Sequence, residues 1–167
     1  MAYQEIDYPT DKIMFYDLLH DQVRVYTSDS SDPIAALANA SAVLAAALTQ
    51  INWVGFYRVQ GDQLILGPFQ GKPAVMQIDR GLGVCGAAWS EKRAQVVKDV
   101  HCFIGHIACD CSSVSELVVP ILGQDHDVIG VIDIDSPVPG RFDEADAAGL
   151  MEVAAIIAPF IEELRQH

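Results

Sequence analysis

The chain has 167 residues, the length of one domain, and its 51% apolar content is enough to build a sizeable core. Against 10 Lys and Arg stand 23 Asp and Glu, a net charge of -13 that repels a phosphate backbone and argues against nucleic acid as a partner. The N-terminus, M-A-Y-Q-E-I-D-Y-P, lacks the basic and then apolar pattern of a signal peptide, and no run approaches the ~20 apolar residues that span a bilayer. A cytoplasmic protein with no membrane partner is expected, organised as a single domain over residues 1–167.

Asp11 to Ser28 places Ile13, Met14, Leu18 and Val25 at near-helical spacing and predicts an amphipathic helix. Ser30 to Pro33 is a turn, and Pro33 at the first helical position opens an alanine-rich helix ending near Gln50. At Asn52 the pattern turns to β. Trp53 to Val59 and Gln63 to Phe69, joined by Gln60-Gly61-Asp62, predict a hairpin with Trp53, Gly55 and Tyr57 on one face. Ala74 to Ile78 is a short strand candidate. Gly81, Gly83 and Gly86 then surround Cys85 ahead of a helical stretch ending near Lys92, and Gln95 to Lys98 predicts an edge strand. Ser115 to Leu122 and Val128 to Asp135, joined by the polar Gly123 to Asp127 turn, form the clearest strand pair. Asp143 caps a last helix from Glu144 to about Arg165, which Pro159 should kink or shorten. The sum is an α+β domain: a mainly antiparallel sheet of about six strands, helices on one face and a pocket on the other.

The stretch Val100 to Glu116, V-H-C-F-I-G-H-I-A-C-D-C-S-S-V-S-E, holds three of the four cysteines and two of the five histidines with no regular period, as expected of a functional loop. In a reducing compartment a cysteine is an inert core thiol, a metal ligand or a reactive thiol rather than part of a disulfide framework. Cys102, Cys109, Cys111, His101 and His106 are chemically suited to zinc, but one C-x-C is a weak zinc signature, and a reactive thiol is the better reading, with no metal expected. Cys85 is either a small packed thiol or a group that its glycines allow a partner loop to approach. Asp133 and Asp135, two apart on a strand, point to one face. Two acids on an apolar strand are costly to bury, so a cation-binding or proton-donating pocket is favoured, with Glu116 on the neighbouring strand as a third carboxylate. Trp53 and Tyr57 are equally consistent with core and with a ligand wall.

Six segments together resemble the free methionine-(R)-sulfoxide reductases: N-W-V-G-F-Y at Asn52 to Tyr57, L-G-P-F-Q-G-K at Leu66 to Lys72, G-V-C-G at Gly83 to Gly86, G-H-I-A-C-D at Gly105 to Asp110, S-E-L-V-V-P at Ser115 to Pro120 and G-V-I-D-I-D-S at Gly130 to Ser136. The resemblance runs from about Ala35 to Glu144. It implies a single GAF-like domain that reduces the R epimer of free methionine sulfoxide, works without a cofactor, forms a homodimer and is recharged by thioredoxin. It makes Cys109 the nucleophile, and it assigns Glu116, Asp133 and Asp135 to the substrate's ammonium and sulfoxide oxygen, with Asp135 preferred as proton donor. Trp53 and Tyr57 would flank the S-methyl end. One departure stands out: the family's usual resolving cysteine, in the segment after F-Q-G-K, is here Val75. Cys85 matches a second family cysteine and is the natural substitute, while Cys102 and Cys111 have no assigned role. The rival functions are a GAF-type small-molecule sensor and a thiol redox sensor, neither of which turns substrate over.

Overall fold

The computed structural model describes residues 5–103 and 112–165. Helix α1 (Lys12–Thr27) starts where the Asp11 carboxylate accepts from the Met14 amide, and α2 (Pro33–Ala47) where Asp32 accepts from Ile34 and Ala35. Both are N-caps that satisfy amides a helix start otherwise leaves free. α2 stops at Ala47, short of Gln50, because Leu48 is extended and Gln50 takes a left-handed backbone at φ 58. The hairpin follows as β1 (Trp53–Gln60) and β2 (Gln63–Gln70), then β3 (Gln77–Asp79), α3 (Gly83–Glu91), β4 (Gln95–Val97) and a 3-10 turn at Val100–Cys102. β5 (Ser115–Leu122), β6 (Val128–Ser136) and α4 (Glu144–Arg165) complete the order.

The strands form one sheet in the order β3-β2-β1-β6-β5-β4, antiparallel at every neighbouring pair. β5 and β6 are interior strands buried along nearly their whole length, which is why they read in sequence as apolar runs rather than as a clean alternation. α2 and α4 lie on one face, with α1 packed across both. Leu19, Leu37, Leu44, Leu150 and Ile157 close that side against Val54, Phe56, Leu117, Val119, Ile132 and Ile134. The short α3 lies over the opposite face, where Val84, Cys85, Ala88 and Trp89 meet Trp53, Tyr57, Val118 and Val131.

One strand expectation shifts and one helix expectation holds. β3 occupies Gln77–Asp79 instead of Ala74 to Ile78, because the Tyr57 hydroxyl takes the Val75 carbonyl and draws that segment out of the ladder. α4 runs to Arg165 as expected, with Pro159 inside it. A proline within a helix costs ~3 kcal/mol, whereas burying Ile157 and Ile161 on either side contributes ~1.5–3 kcal/mol each, so the helix continues.

The buried Asp146 ties α1 to the start of α4, accepting from the Tyr16 hydroxyl at 2.9 Å, from Lys12 at 2.7 Å and from the Asp143 amide at 3.0 Å. One turn on, Gly149 lets the Tyr16 ring lie directly on α4. Gly149→Ala gains the ~1 kcal/mol of helix propensity that glycine lacks but sets a methyl group 2.2 Å from that ring. Tyr16 cannot swing aside without losing Asp146, so an overpacking cost of roughly 1–3 kcal/mol or more wins. Thermal unfolding is expected several degrees below wild type by circular dichroism, and an unchanged midpoint would mean that the two helices separate freely.

Candidate functional site

Strand register assembles the site. Trp53 on β1 pairs with Asp135 on β6, which pairs in turn with Glu116 on β5. One step along, Gly55 pairs with Asp133 and Asp133 with Val118. Because side chains alternate, Trp53, Tyr57, Asp133, Asp135 and Glu116 all face the side that α3 covers. A Cβ on Gly55 would meet the Trp53 ring at 2.6 Å and the Phe69 Cβ at 2.4 Å, so glycine there leaves the indole room to lie flat. The indole stacks on Phe69 at 5.3 Å between ring centroids and lies 6.1 Å from Tyr57. Its N–H donates to the Lys72 carbonyl at 3.0 Å, and the Tyr57 hydroxyl donates to the Val75 carbonyl at 2.9 Å. The aromatic wall thereby anchors the segment after β2. Gly71 turns that segment at φ 136, where a Cβ would strike Trp53 at 2.5 Å.

From the other side, the first turn of α3 brings Cys85 down onto the acids. Gly86 makes this approach possible: a Cβ there would meet the Asp79 carbonyl at 2.8 Å and the Gly81 nitrogen at 2.9 Å. The Cys85 sulfur and one carboxylate oxygen each from Glu116 and Asp133 lie within 4.8 Å of one another, and all three residues are buried. They share a cleft of about 10 Å³ with Ile78, Leu82, Gly83 and Val84. A larger cavity of about 860 Å³ opens on the α2 and α4 side, bounded by Leu37, Phe56, Arg58 and Leu164 among others, with no acid or thiol in its lining.

Glu116, Asp133 and Asp135 are 6%, 2% and 3% exposed, so their charges have little water to rest in. Burial pushes the Glu116 carboxyl well above the usual carboxylate range. The negative charges of Asp133 and Asp135 and a hydrogen bond to Asp133 push it the same way. Burial also raises Asp133, to about 6, although hydrogen bonds with Cys85 and Glu116 pull it back. Burial and mutual repulsion thus hold the hydrogen-bonded Glu116–Asp133 pair toward its protonated form, with Glu116 raised well above the carboxylate range. Asp133 Oδ1 has no hydrogen-bond partner among the described residues.

Such burial strains the fold in a pH-dependent way. The unfolded chain releases the Asp133 proton near its ordinary 3.8 and the folded chain only near 6, so stability falls as pH rises between the two and stays lowered above them. At ~1.4 kcal/mol per unit this amounts to on the order of 2–3 kcal/mol. Asp133→Asn is therefore expected to melt above wild type at about pH 7.5, with the gap closing by about pH 4. A variant less stable than wild type across that range would show that this carboxyl is not strained by burial.

Of the sequence-predicted set, the structure brings together Cys85, Glu116, Asp133, Asp135, Trp53 and Tyr57. Cys109, Cys111 and His106 lie outside the described residues. Cys102 is exposed at the end of the 3-10 turn, and His101 beside it contacts Asp99 at 2.8 Å. Asn52 went unassigned in the sequence. Its amide donates to Ser112 and Ser113 at 3.2 and 3.1 Å, pinning the start of β1 to the segment that enters β5. Its place at the head of N-W-V-G-F-Y was the available signal.

The GAF domain family matches residues 32–159. The free methionine-R-sulfoxide reductase of Escherichia coli is 46% identical over 145 residues, covering 87% of this chain and 87% of that protein. Among solved structures, the free methionine-R-sulfoxide reductase of Neisseria meningitidis in complex with its substrate superposes with a TM-score of 0.90 at 42% identity, covering 99% of each chain. The reduced enzyme of Staphylococcus aureus superposes with a TM-score of 0.82 at 52% identity, over 87% of this chain and 94% of that one.

Proposed function

The chain belongs to the GAF-domain family of free methionine-R-sulfoxide reductases, and we propose that it reduces free L-methionine-(R)-sulfoxide to L-methionine through a cysteine sulfenic acid. The observation that carries the reading is the trio of buried carboxylates, with Glu116 pushed toward its protonated form by burial and its acidic neighbours, set beside an aromatic wall. Asp133 and Asp135 receive the substrate's ammonium, while Trp53 and Tyr57 flank its S-methyl group. The Cys109 thiolate attacks the sulfoxide sulfur and Glu116 delivers a proton to the oxygen. Methionine leaves and the oxygen remains on Cys109 as a sulfenic acid. Glu116 suits the donor role better than Asp135, because desolvation and two neighbouring acids keep its carboxyl neutral where an ordinary glutamate is ionised.

Cys85 then attacks the sulfenic acid, forming a disulfide and releasing water, and thioredoxin restores both thiols in a reducing cytoplasm. Cys85 suits this role because its sulfur lies among the same carboxylates that face the substrate, and Val75 leaves the usual position without a thiol. The active form in this reading is a homodimer. The reading is tested by supplying the reduced protein with each epimer of free methionine sulfoxide, thioredoxin, thioredoxin reductase and NADPH. Consumption of the R epimer alone is expected. Saturable binding of that epimer without consumption would instead make the chain a sensor, and thiol oxidation by peroxide with neither would make it a redox switch.

A further inference from the structure

We propose that Cys85, Glu116 and Asp133 also form a binding site for one thiophilic divalent cation of the zinc class, and that the bound ion excludes the substrate. The second half rests on the functional reading above, in which the same carboxylates serve the substrate. The donor set is one thiolate and two carboxylate oxygens, which zinc and cobalt accept readily and calcium or magnesium do not. These atoms lie within 4.8 Å of one another, and around a tetrahedral ion such donors stand roughly 3.4–3.6 Å apart, so small side-chain rotations close the set. The cleft between them, about 10 Å³, is the size of a single ion or water.

A second observation points to a ligand independently. Asp133, which lines this cleft, is 2% exposed, and its Oδ1 has no hydrogen-bond partner among the described residues, leaving its carboxylate with unused capacity that a cation would engage. The three residues stand on α3 and the interior strands β5 and β6, elements that hold ligand geometry better than loops do. A net charge of -13 favours cation approach. On binding, the Cys85 thiol and the Glu116 carboxyl each release a proton and no electrons move, so the ion is held by a thiolate and two carboxylates. This set is distinct from the C-x-C loop.

The test uses the full-length reduced protein with Co²⁺ as the probe, because a cobalt–thiolate bond gives a near-ultraviolet charge-transfer band. One Co²⁺ per chain is expected, with that band, displaced by Zn²⁺. Cys85→Ala should abolish the band, Asp133→Asn should weaken binding at least about tenfold, and Cys102→Ser should leave it unchanged. X-ray absorption on the wild-type zinc complex needs no variant and should find one sulfur among oxygen neighbours. No band, a band surviving Cys85→Ala, or two or more sulfurs around zinc would overturn the site. Zn²⁺ should raise the apparent KM for free methionine-R-sulfoxide without lowering kcat, and zinc bound without any effect on turnover would overturn the exclusion. Absence of turnover in the metal-free protein would count against the functional reading alone, leaving the cobalt signature to decide the site.

Discussion

Cys109→Ser is expected to bring consumption of free methionine-R-sulfoxide down to the uncatalysed background. A serine hydroxyl is a far poorer nucleophile toward sulfur at neutral pH than a thiolate, and it cannot pass through a sulfenic acid. Thermal unfolding should barely move, because the replacement is nearly equal in size. Coupled assays with thioredoxin and single-turnover release of methionine should both fall, which separates loss of the chemical step from loss of recycling. Cys85→Ser offers the contrast: methionine release persists for one turnover while thioredoxin-coupled recycling slows. Turnover near wild type in Cys109→Ser would require another thiol as nucleophile, with Cys85 the first to test.

Glu116→Gln should lower kcat by roughly 10²–10⁴, the range that positioned acid–base catalysis contributes, with a smaller change in KM. The amide keeps the size and a hydrogen-bond donor toward Asp133 but has no acidic proton to give. The pH profile carries the sign. Wild-type kcat should fall as pH rises through the elevated Glu116 value, since the donor is then ionised, while the glutamine variant should be flat across the same interval. A glutamine variant with the wild-type profile would move the donor role to Asp133 or Asp135. Burial also makes the variant informative about stability. Loss of a desolvated acid should leave the fold as stable as wild type or more so above neutrality, by the same reasoning that applies to Asp133.

Much of this architecture is legible in one dimension, for local reasons. β5 and its partner β6 were readable almost to the residue, because both are short apolar runs bounded by turn residues and both are buried on two faces. The helix starts at Asp11 and Asp32 follow from capping chemistry that needs only neighbouring residues. The shared face of Asp133 and Asp135 follows from the period of a strand. β3 was misplaced because a distant hydroxyl, that of Tyr57, decides where the chain leaves the ladder. The span of α4 from Glu144 to about Arg165 was also readable, while the burial that carries the helix past Pro159 is tertiary.

The sequence by itself determined which residue types are present and their alternation along each strand, and these pointed to a reactive thiol and an acidic pocket; sulfoxide chemistry, and Val75 as a departure from the family's usual cysteine, came from the resemblance of six segments to the free methionine-(R)-sulfoxide reductases. Only the tertiary structure decided that Glu116, Asp135 and Trp53 share one cross-strand row, since register between strands far apart in the chain depends on the packing of both faces of the sheet. It also decided that α3, through the bare backbone of Gly86, lies close enough to set the Cys85 sulfur among two acids. The shift of the Glu116 carboxyl is likewise tertiary. A carboxyl has nearly the same affinity for a proton anywhere in an unfolded chain, and it is the removal of water around Glu116, beside two other acids, that raises its carboxyl well above the usual range.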